Sequence, residues 1–226
     1  DAMEAIEREN PQLKGVLPKD YARPALDKQR LGQIINLVSD IALGSAADRA
    51  KDTLGRVYEY FLARFASAEG KSGGQFYTPS HVVRVLVEML APYKGRVYDP
   101  CCGSGGMLIF SKSYVEEHGG DSRNLFLYGQ DDSGSAWVVC KMNMILHGIR
   151  SADIRQGDTI KDPQHLDQNG EIKRFDRVIA NPPFSQNYTR QTMKYPERFH
   201  TFMPESGKKA DLMFVQHMAA SLKSNG

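Results

Sequence analysis

The sequence predicts an α/β protein, with a helical amino-terminal domain at residues 1–70 and a parallel sheet flanked by helices at residues 71–226. Apolar residues recur at helical spacing in the first domain, and strand-like segments alternate with helix-like ones in the second. Between the two, the glycines of the stretch 70–74 interrupt the helical pattern, as a linker does. These three observations set the fold class and the domain boundary.

The composition is that of an ordinary globular protein. Hydrophobic residues make up 41% and charged residues 25% of the 226 residues, which excludes a disordered or collagen-like chain. The net charge of +2 is too small to indicate a nucleic-acid partner by itself, and no apolar run approaches the length of a membrane span. The three cysteines are odd in number and lack zinc-ligand spacing, so we expect a reduced, cytoplasmic protein without a metal site.

Apolar faces predict the helices that precede the sheet. In the first domain one helix carries Leu31, Ile34, Ile35, Val38, Ile41 and Ala42, and a second carries Leu54, Val57, Tyr58, Phe61, Leu62 and Phe65. The second domain opens with a helix for which Thr78 is the expected cap and Pro79 the first helical residue. Its apolar face consists of Val82, Val83, Leu86, Val87 and Leu90.

Four strand-like segments follow, each separated from the next by a short connection or a helix. They lie at residues 96–99, 125–128, 153–155 and 175–180, with helix-like segments at residues 107–110, 135–147 and 210–223. This alternation favours a parallel sheet, whose ligands bind at the carboxyl ends of the strands.

A glycine-rich turn, residues 99–106, lies between the first strand and the next helix. Glycines allow the backbone to approach a ligand closely, and the amino end of a helix favours electron-rich groups. The turn is not a dinucleotide fingerprint, because the sixth place counted from Gly103 is Leu108. A plain tight turn is the alternative at this point.

Polar groups also follow the other three strands. Asp131 and Asp158 come after the second and third strands, and the tetrapeptide 181–184 (Asn-Pro-Pro-Phe) comes after the fourth. Two prolines fix the backbone, so that the Asn181 side chain and the Pro182 carbonyl can both accept from one planar amine, while Phe184 offers a face for a flat ring. Each feature alone is compatible with a solvated loop acid or a proline-rich turn, but the set favours one site.

These segments resemble the modification (methyltransferase) subunit of type I restriction–modification systems, and the resemblance covers nearly the whole chain. It is carried by residues 10–17, 54–62, 75–79, 99–106, 129–131, 141–148 and 181–184. The resemblance implies a Rossmann-like, S-adenosylmethionine-dependent methyltransferase that acts on the N6 amine of adenine in DNA.

The resemblance also implies roles for individual residues. The cofactor would be bound by Gln75, Phe76, Tyr77, Thr78, Pro79, Ser80, Asp99, Cys101, Gly103, Ser104, Gly105, Gly106, Asp131 and Asp158. Within that set Asp131 would hold the ribose hydroxyls and Asp158 would accept from the cofactor's adenine amine. The catalytic set would be Asn181, Pro182, Pro183 and Phe184, with Phe184 stacked on a flipped base.

The implied partners are DNA, a specificity subunit, a restriction subunit and a second copy of the methyltransferase subunit, in a prokaryotic cytoplasm. The family sheet has seven strands, whereas four are recognisable before Gly226. We therefore expect the later strands to be missing, and a chain ending there to associate or be marginally stable and to be inactive alone.

Three alternatives remain at the level of the sequence. The site also suits another amine or amide methyltransferase acting on RNA or protein glutamine, and the chain is also compatible with a non-catalytic assembly piece. Cys101 as the nucleophile of a cytosine-C5 enzyme is disfavoured, because Asn181 stands where that cysteine is expected.

The segment 184–209 is basic and contains several aromatic residues. It is either a loop that contacts DNA phosphates or a solvated loop.

Overall fold

A computed structural model describes residues 2–19, 27–39, 53–69, 77–184, 186–207 and 209–226. The helices are α1 (Ala2–Glu9), α2 (Lys28–Ser39), α3 (Thr53–Glu69), α4 (Ser80–Leu90), α5 (Gly106–Glu117), α6 (Gly134–Leu146) and α7 (Asp211–Ala220). The strands are β1 (Gly95–Asp99), β2 (Leu125–Asp131), β3 (Asp153–Gln156) and β4 (Arg177–Val178). In this part of the chain every helix is too short or too polar to cross a bilayer.

The four strands form one parallel sheet in the order β3-β2-β1-β4. The chain builds outward from β1 through β2 to β3, then returns to place β4 on the other side of β1. Strand order therefore reverses between β1 and β4, and a crevice opens at the carboxyl ends of strands where that reversal occurs. The fold class predicted from the sequence is confirmed.

One face of the sheet is covered by α4, α5 and α6. Val83, Val97, Leu108 and Cys140 are at most 1% exposed in this layer, so Cys140 is a core residue. The opposite face packs against α7, where Tyr98 stacks on Phe175 with 4.4 Å between ring centroids.

The amino-terminal segment packs on the outer side of α6. Leu13, Val16 and Leu17 are buried against Trp137 and its neighbours on that helix. Trp137 also donates from Nε1 to the Ile154 carbonyl at 3.1 Å, which ties α6 to β3. Trp137 is thus a packing residue.

Several boundaries differ from the sequence expectation. Helix α4 begins at Ser80, and Thr78 does not cap it, because its hydroxyl accepts a hydrogen bond from Asn181 instead. β4 contains two residues rather than six, since Phe175 makes only an isolated bridge to Leu222.

Other sequence expectations fall outside the described residues. They are the linker 70–74, the domain boundary that rests on it, and the Ile41 and Ala42 positions.

Candidate functional site

The crevice at the strand reversal is built from the ends of β1 and β4. Asp99 ends β1 with 2% of its surface exposed, and its Oδ1 accepts from the Cys101 amide at 3.0 Å. The glycine turn follows and leads into α5. Gly105 has φ +83°, and a Cβ there would lie 2.6 Å from Met144 Cε and 2.8 Å from Cys140 Sγ, so this position requires glycine for both conformation and space.

Asp131 joins the end of β2 to the glycine turn. Its Oδ2 accepts from the Gly103 amide at 2.9 Å, and its Oδ1 accepts from the Ser133 amide at 3.0 Å. Since these two amides belong to different loops, the carboxylate fixes the turn after β1 relative to the start of α6.

Asn181 follows β4 and faces the turn from the other side. Its Nδ2 donates to Thr78 Oγ1 at 3.2 Å, so the amide group is oriented and its Oδ1 is the acceptor. Phe184, three residues on, is 78% exposed, which is high for so large an apolar ring.

Two adjoining cavities share Asn181 and Cys101 in their walls. The smaller is lined by Thr78, Asp99, Cys101, Cys102, Gly103, Ser104, Gly106, Met107 and Asn181. The larger, of about 280 Å³, is lined by Pro100, Cys101, Asp131, Asp132, Ser133, Thr159, Asn181, Pro183, Gln186 and Phe214. Together they form a cleft of a size suited to a small molecule.

Three carboxyl groups around the cleft are harder to ionise than in water. Burial, the hydrogen bond from Cys101, which opposes the shift, and the charge of Asp131 together raise the pKa of Asp99 to about 7, and burial is the largest of these causes. Burial also raises the pKa of Asp131, although the Gly103 and Ser133 amides oppose that shift. Burial and the charge of Asp158 raise the pKa of Asp132. A cationic ligand or hydroxyl donors would stabilise the ionised forms of these groups.

The Cys101 thiol is unsuited to nucleophilic attack. Burial raises its pKa well above the ordinary value, and the charges of Asp99 and Asp131 raise it further. Because the thiolate is the reactive form, this environment argues against covalent catalysis through Cys101.

Residues 49–226 match the N-6 DNA Methylase family. The chain belongs to this family. The type I restriction enzyme HindI methylase subunit of Haemophilus influenzae is 38% identical over 241 residues, which cover 100% of this chain and 52% of that protein. The MjaIX methylase subunit of Methanocaldococcus jannaschii is 41% identical over 187 residues, covering 82% of this chain and 32% of that one. The chain thus spans about half or less of the length of these relatives.

Solved structures agree with this placement. The type I restriction–modification methyltransferase subunit from Streptococcus thermophilus superposes with a TM-score of 0.67 at 30% identity, covering 82% of this chain and 40% of that one. A class I S-adenosylmethionine-dependent methyltransferase from Listeria monocytogenes, 16% identical with a TM-score of 0.57, shares the fold alone and covers 75% of this chain and 51% of that one. The resemblance to type I methyltransferase subunits is confirmed.

Most of the residues expected to bind cofactor or substrate lie together in this cleft. Those lining one or both cavities are Thr78, Asp99, Cys101, Gly103, Ser104, Gly106, Asp131, Asn181 and Pro183. Four others, Pro79, Gly105, Pro182 and Phe184, adjoin lining residues in sequence. Gln75 and Phe76 are outside the described residues.

Three expected cofactor residues lie differently. Tyr77 and Ser80 line a separate crevice of about 610 Å³ between α3 and the α4–α5 pair. The Asp158 Oδ1 accepts from the amides of Ile160 and Lys161, at 2.8 and 3.1 Å, and so caps the turn after β3. Its neighbour Thr159 lines the larger cavity instead.

Several lining residues were missed by the sequence reasoning. Asp132 and Thr159 directly follow the predicted site residues Asp131 and Asp158, so their positions in the sequence could have predicted that they line the cleft. Gln186 and Phe214 reach the cavity only because the loop after β4 folds back on α7, and no local pattern predicts this. Thr159 also donates to the Pro100 carbonyl at 2.6 Å, which links the β3 turn to the β1 turn.

Part of the basic loop after β4 is folded onto the domain. Arg198 is 7% exposed, and its guanidinium donates to the carbonyls of Thr159, Ile160, Lys194 and Tyr195. Of the two alternatives for this segment, phosphate contact does not fit Arg198, because the residue is buried and its Nη1 and Nη2 atoms donate to carbonyls within the protein.

Two other basic side chains of the loop have partners within the chain. Lys194 pairs with Asp162 at 2.9 Å, and the Arg190 guanidinium lies 3.8 Å from the centroid of the Phe202 ring. These contacts fix the loop beside the cleft.

Proposed function

We propose that this protein is the modification subunit of a type I restriction–modification complex and transfers a methyl group from S-adenosylmethionine to the N6 amine of adenine in DNA. Membership of the N-6 DNA Methylase family supports the reaction class. The observation that carries the proposal is the position of Asn181, which stands in the wall shared by both cavities with its Oδ1 oriented as an acceptor.

The residues of the cleft fit the cofactor. The glycine turn gives close backbone access next to Asp99, and Asp131 and Asp132 line the adjoining cavity. S-adenosylmethionine supplies an electrophilic methyl group on a positively charged sulfonium. Carboxyl groups whose pKa values are raised by burial favour a ligand that brings positive charge and hydroxyl donors, because both stabilise the ionised carboxylates.

The residues after β4 fit the target base. The Asn181 side chain and the Pro182 carbonyl would accept hydrogen bonds from the N6 amine and orient its nitrogen lone pair toward the methyl group. Rigid acceptors of this kind act through positioning and preorganised electrostatics. The exposed Phe184 ring is available to stack on an adenine extruded from the duplex.

We also propose the partners implied by the relatives: DNA, a specificity subunit that reads the recognition sequence, a restriction subunit and a second methyltransferase subunit, within a prokaryotic cytoplasm. The names of the relatives, which are methylase subunits of type I restriction enzymes, support this assembly.

Tritium transfer from labelled S-adenosylmethionine tests the proposal. The protein is expressed from its complete reading frame with its specificity subunit, and transfer to DNA, RNA and protein is compared. We expect label in DNA adenine, at least about a hundredfold less transfer for Asn181→Ala, and nearly unchanged cofactor affinity in that variant.

Asn169→Ala is the matched control, because Asn169 is an exposed loop asparagine away from the cleft. Label in RNA or protein would identify a different substrate, and cofactor binding without transfer to any substrate would identify an assembly role. Full activity of Asn181→Ala would remove Asn181 from the mechanism.

A further inference from the structure

The glycine turn at residues 99–106, which is the cofactor turn of the proposed function, packs against α6 on the side away from the cleft. Gly105 packs against Cys140 and Met144 of that helix, and the Ser104 carbonyl accepts from Asn143 Nδ2 at 2.9 Å. Asn143 is fully buried, so this hydrogen bond is shielded from water. The backbone of the turn therefore depends on where α6 places the Asn143 amide.

The same amide group reaches the amino-terminal helices. Asn143 Nδ2 also donates to Glu59 Oε1 of α3, at 2.8 Å. Both neighbours are acceptors, so only the NH2 side of the amide can face them, and its two hydrogens serve one acceptor each. A single side chain thus joins α3 to the cofactor turn.

Glu59 also lies near the segment that precedes α4, which contains predicted cofactor-binding residues. Glu59 and Tyr77 line the same crevice. Burial raises the pKa of the Tyr77 phenol most, and the negative charge of Glu59 raises it further. Tyr77 directly precedes Thr78, whose hydroxyl accepts from Asn181. Glu59 is therefore linked to two segments of the predicted cofactor-binding set, the glycine turn through Asn143 and the residues around Tyr77 through their shared crevice.

We propose that Glu59 is a positioning residue for the cofactor turn: through Asn143 it holds the Ser104 carbonyl, so that the packing of α3 on α6 sets the affinity for S-adenosylmethionine. This inference rests on the proposed function, because it takes the turn to be the cofactor-binding element. It adds that the amino-terminal helices act on cofactor binding, although Glu59 itself does not line the cleft.

Glu59→Ala removes the acceptor for Asn143, and Glu59→Gln retains an acceptor oxygen. We expect Glu59→Ala to raise the S-adenosylmethionine dissociation constant about fivefold or more, within the ordinary range of coupling between sites. Glu59→Gln should stay within about twofold of the unaltered protein, because the hydrogen bond to Asn143 can still form. Arg64→Ala is the control, since it removes an exposed charge from the same helix.

The measurement is calorimetric titration of the protein from its complete reading frame, together with its Tm without ligand and its kcat and KM. A purely structural role would lower Tm while leaving the dissociation constant of the folded protein unchanged. The proposal instead requires a raised KM for S-adenosylmethionine, an unchanged KM for DNA, and recovery in Glu59→Gln.

If Glu59→Ala does not fold, Glu59→Asp, which withdraws the acceptor by one methylene, is titrated in its place and should also raise the dissociation constant. Equal affinities in the unaltered protein and in the folded Glu59 variant would overturn this inference and leave the proposed function standing. Failure of the unaltered protein to bind S-adenosylmethionine would instead overturn the proposed function.

Discussion

Substituting alanine for Gly105 tests whether the cofactor turn is packed against α6 as tightly as the structure indicates. The new methyl group would lie 2.6 Å from Met144 Cε and 2.8 Å from Cys140 Sγ, both well inside van der Waals contact. Met144 Cε is the end of a flexible side chain and can move, but Cys140 is fully buried within α6 and has little room to do so. The substitution therefore adds crowding to a strained backbone.

The magnitude follows from two separable costs. A φ of +83° costs an alanine about 1–2 kcal/mol relative to the right-handed region. Inserting a methyl group into a packed core costs about 1–3 kcal/mol more. Gly105→Ala should therefore reduce the free energy of unfolding by about 2–5 kcal/mol.

Gly119→Ala is a matched control that isolates the crowding. Gly119 has φ +72°, but a Cβ there would meet no atom within 4 Å, so this variant pays the backbone cost alone. Both substitutions reduce the entropy of the unfolded chain equally, and that contribution cancels between them. The two variants should differ by about 1–3 kcal/mol, the cost of overpacking.

Urea unfolding, followed by circular dichroism and compared at equal m-value, measures that difference. S-adenosylmethionine titration of the folded Gly105→Ala protein should also show weaker binding, because the turn must shift away from α6. Equal midpoints for the two variants would refute the close packing of the turn on this helix.

The remaining predictions concern charge in and behind the cleft. Asp131→Ala should raise the S-adenosylmethionine dissociation constant by about tenfold or more, because it removes the acceptor that fixes the Gly103 amide; an unchanged constant by calorimetry would take Asp131 out of the site. Burial lowers the pKa of His165 to about 4 and that of His217 to about 3. As the pH drops from about 6.5 toward 4, these histidines are protonated in the unfolded state before they are protonated in the folded state, so the free energy of unfolding should fall. Burial raises the pKa of Asp99 to about 7, so protonation of Asp99 stabilises the folded state as the pH falls over the same range. Asp99→Asn should therefore make Tm fall more steeply as the pH is lowered. A shallower fall in Tm would contradict these assignments.

The sheet and most of the cleft could be predicted from the sequence, because they depend on local sequence patterns. Parallel strands are apolar runs that end in polar residues, and Asp99, Asp131 and Asn181 each stand just at or after such an end. The predicted extent was wrong at β4, where the segment 175–180 contains a strand of only two residues. Local patterns thus located the edge of the sheet at which the cleft lies.

The supports behind the cleft were not predictable in the same way. Asn143 joins partners 84 and 39 residues away, and Tyr98 bonds His217 across 119 residues. In the sequence Arg198 is one of several basic residues of the loop, yet it is buried and its Nη1 and Nη2 atoms donate to carbonyls. Nothing in the spacing of these residues indicates their partners, since only the folded topology brings them together.

The same topology explains why the cleft is costly to build without a ligand. Asp99, Asp131 and Asp132 are drawn together by the ends of β1 and β2, and each has a pKa raised mainly by loss of water. Hydrogen bonds from the Cys101, Gly103 and Ser133 amides offset only part of this cost. A ligand that carries positive charge into the cleft would recover the rest, because it stabilises the carboxylates in the place of water. Cofactor binding and the stability of the sheet edge are therefore linked, and a cationic cofactor should raise Tm more than a neutral analogue of equal size bound at the same saturation.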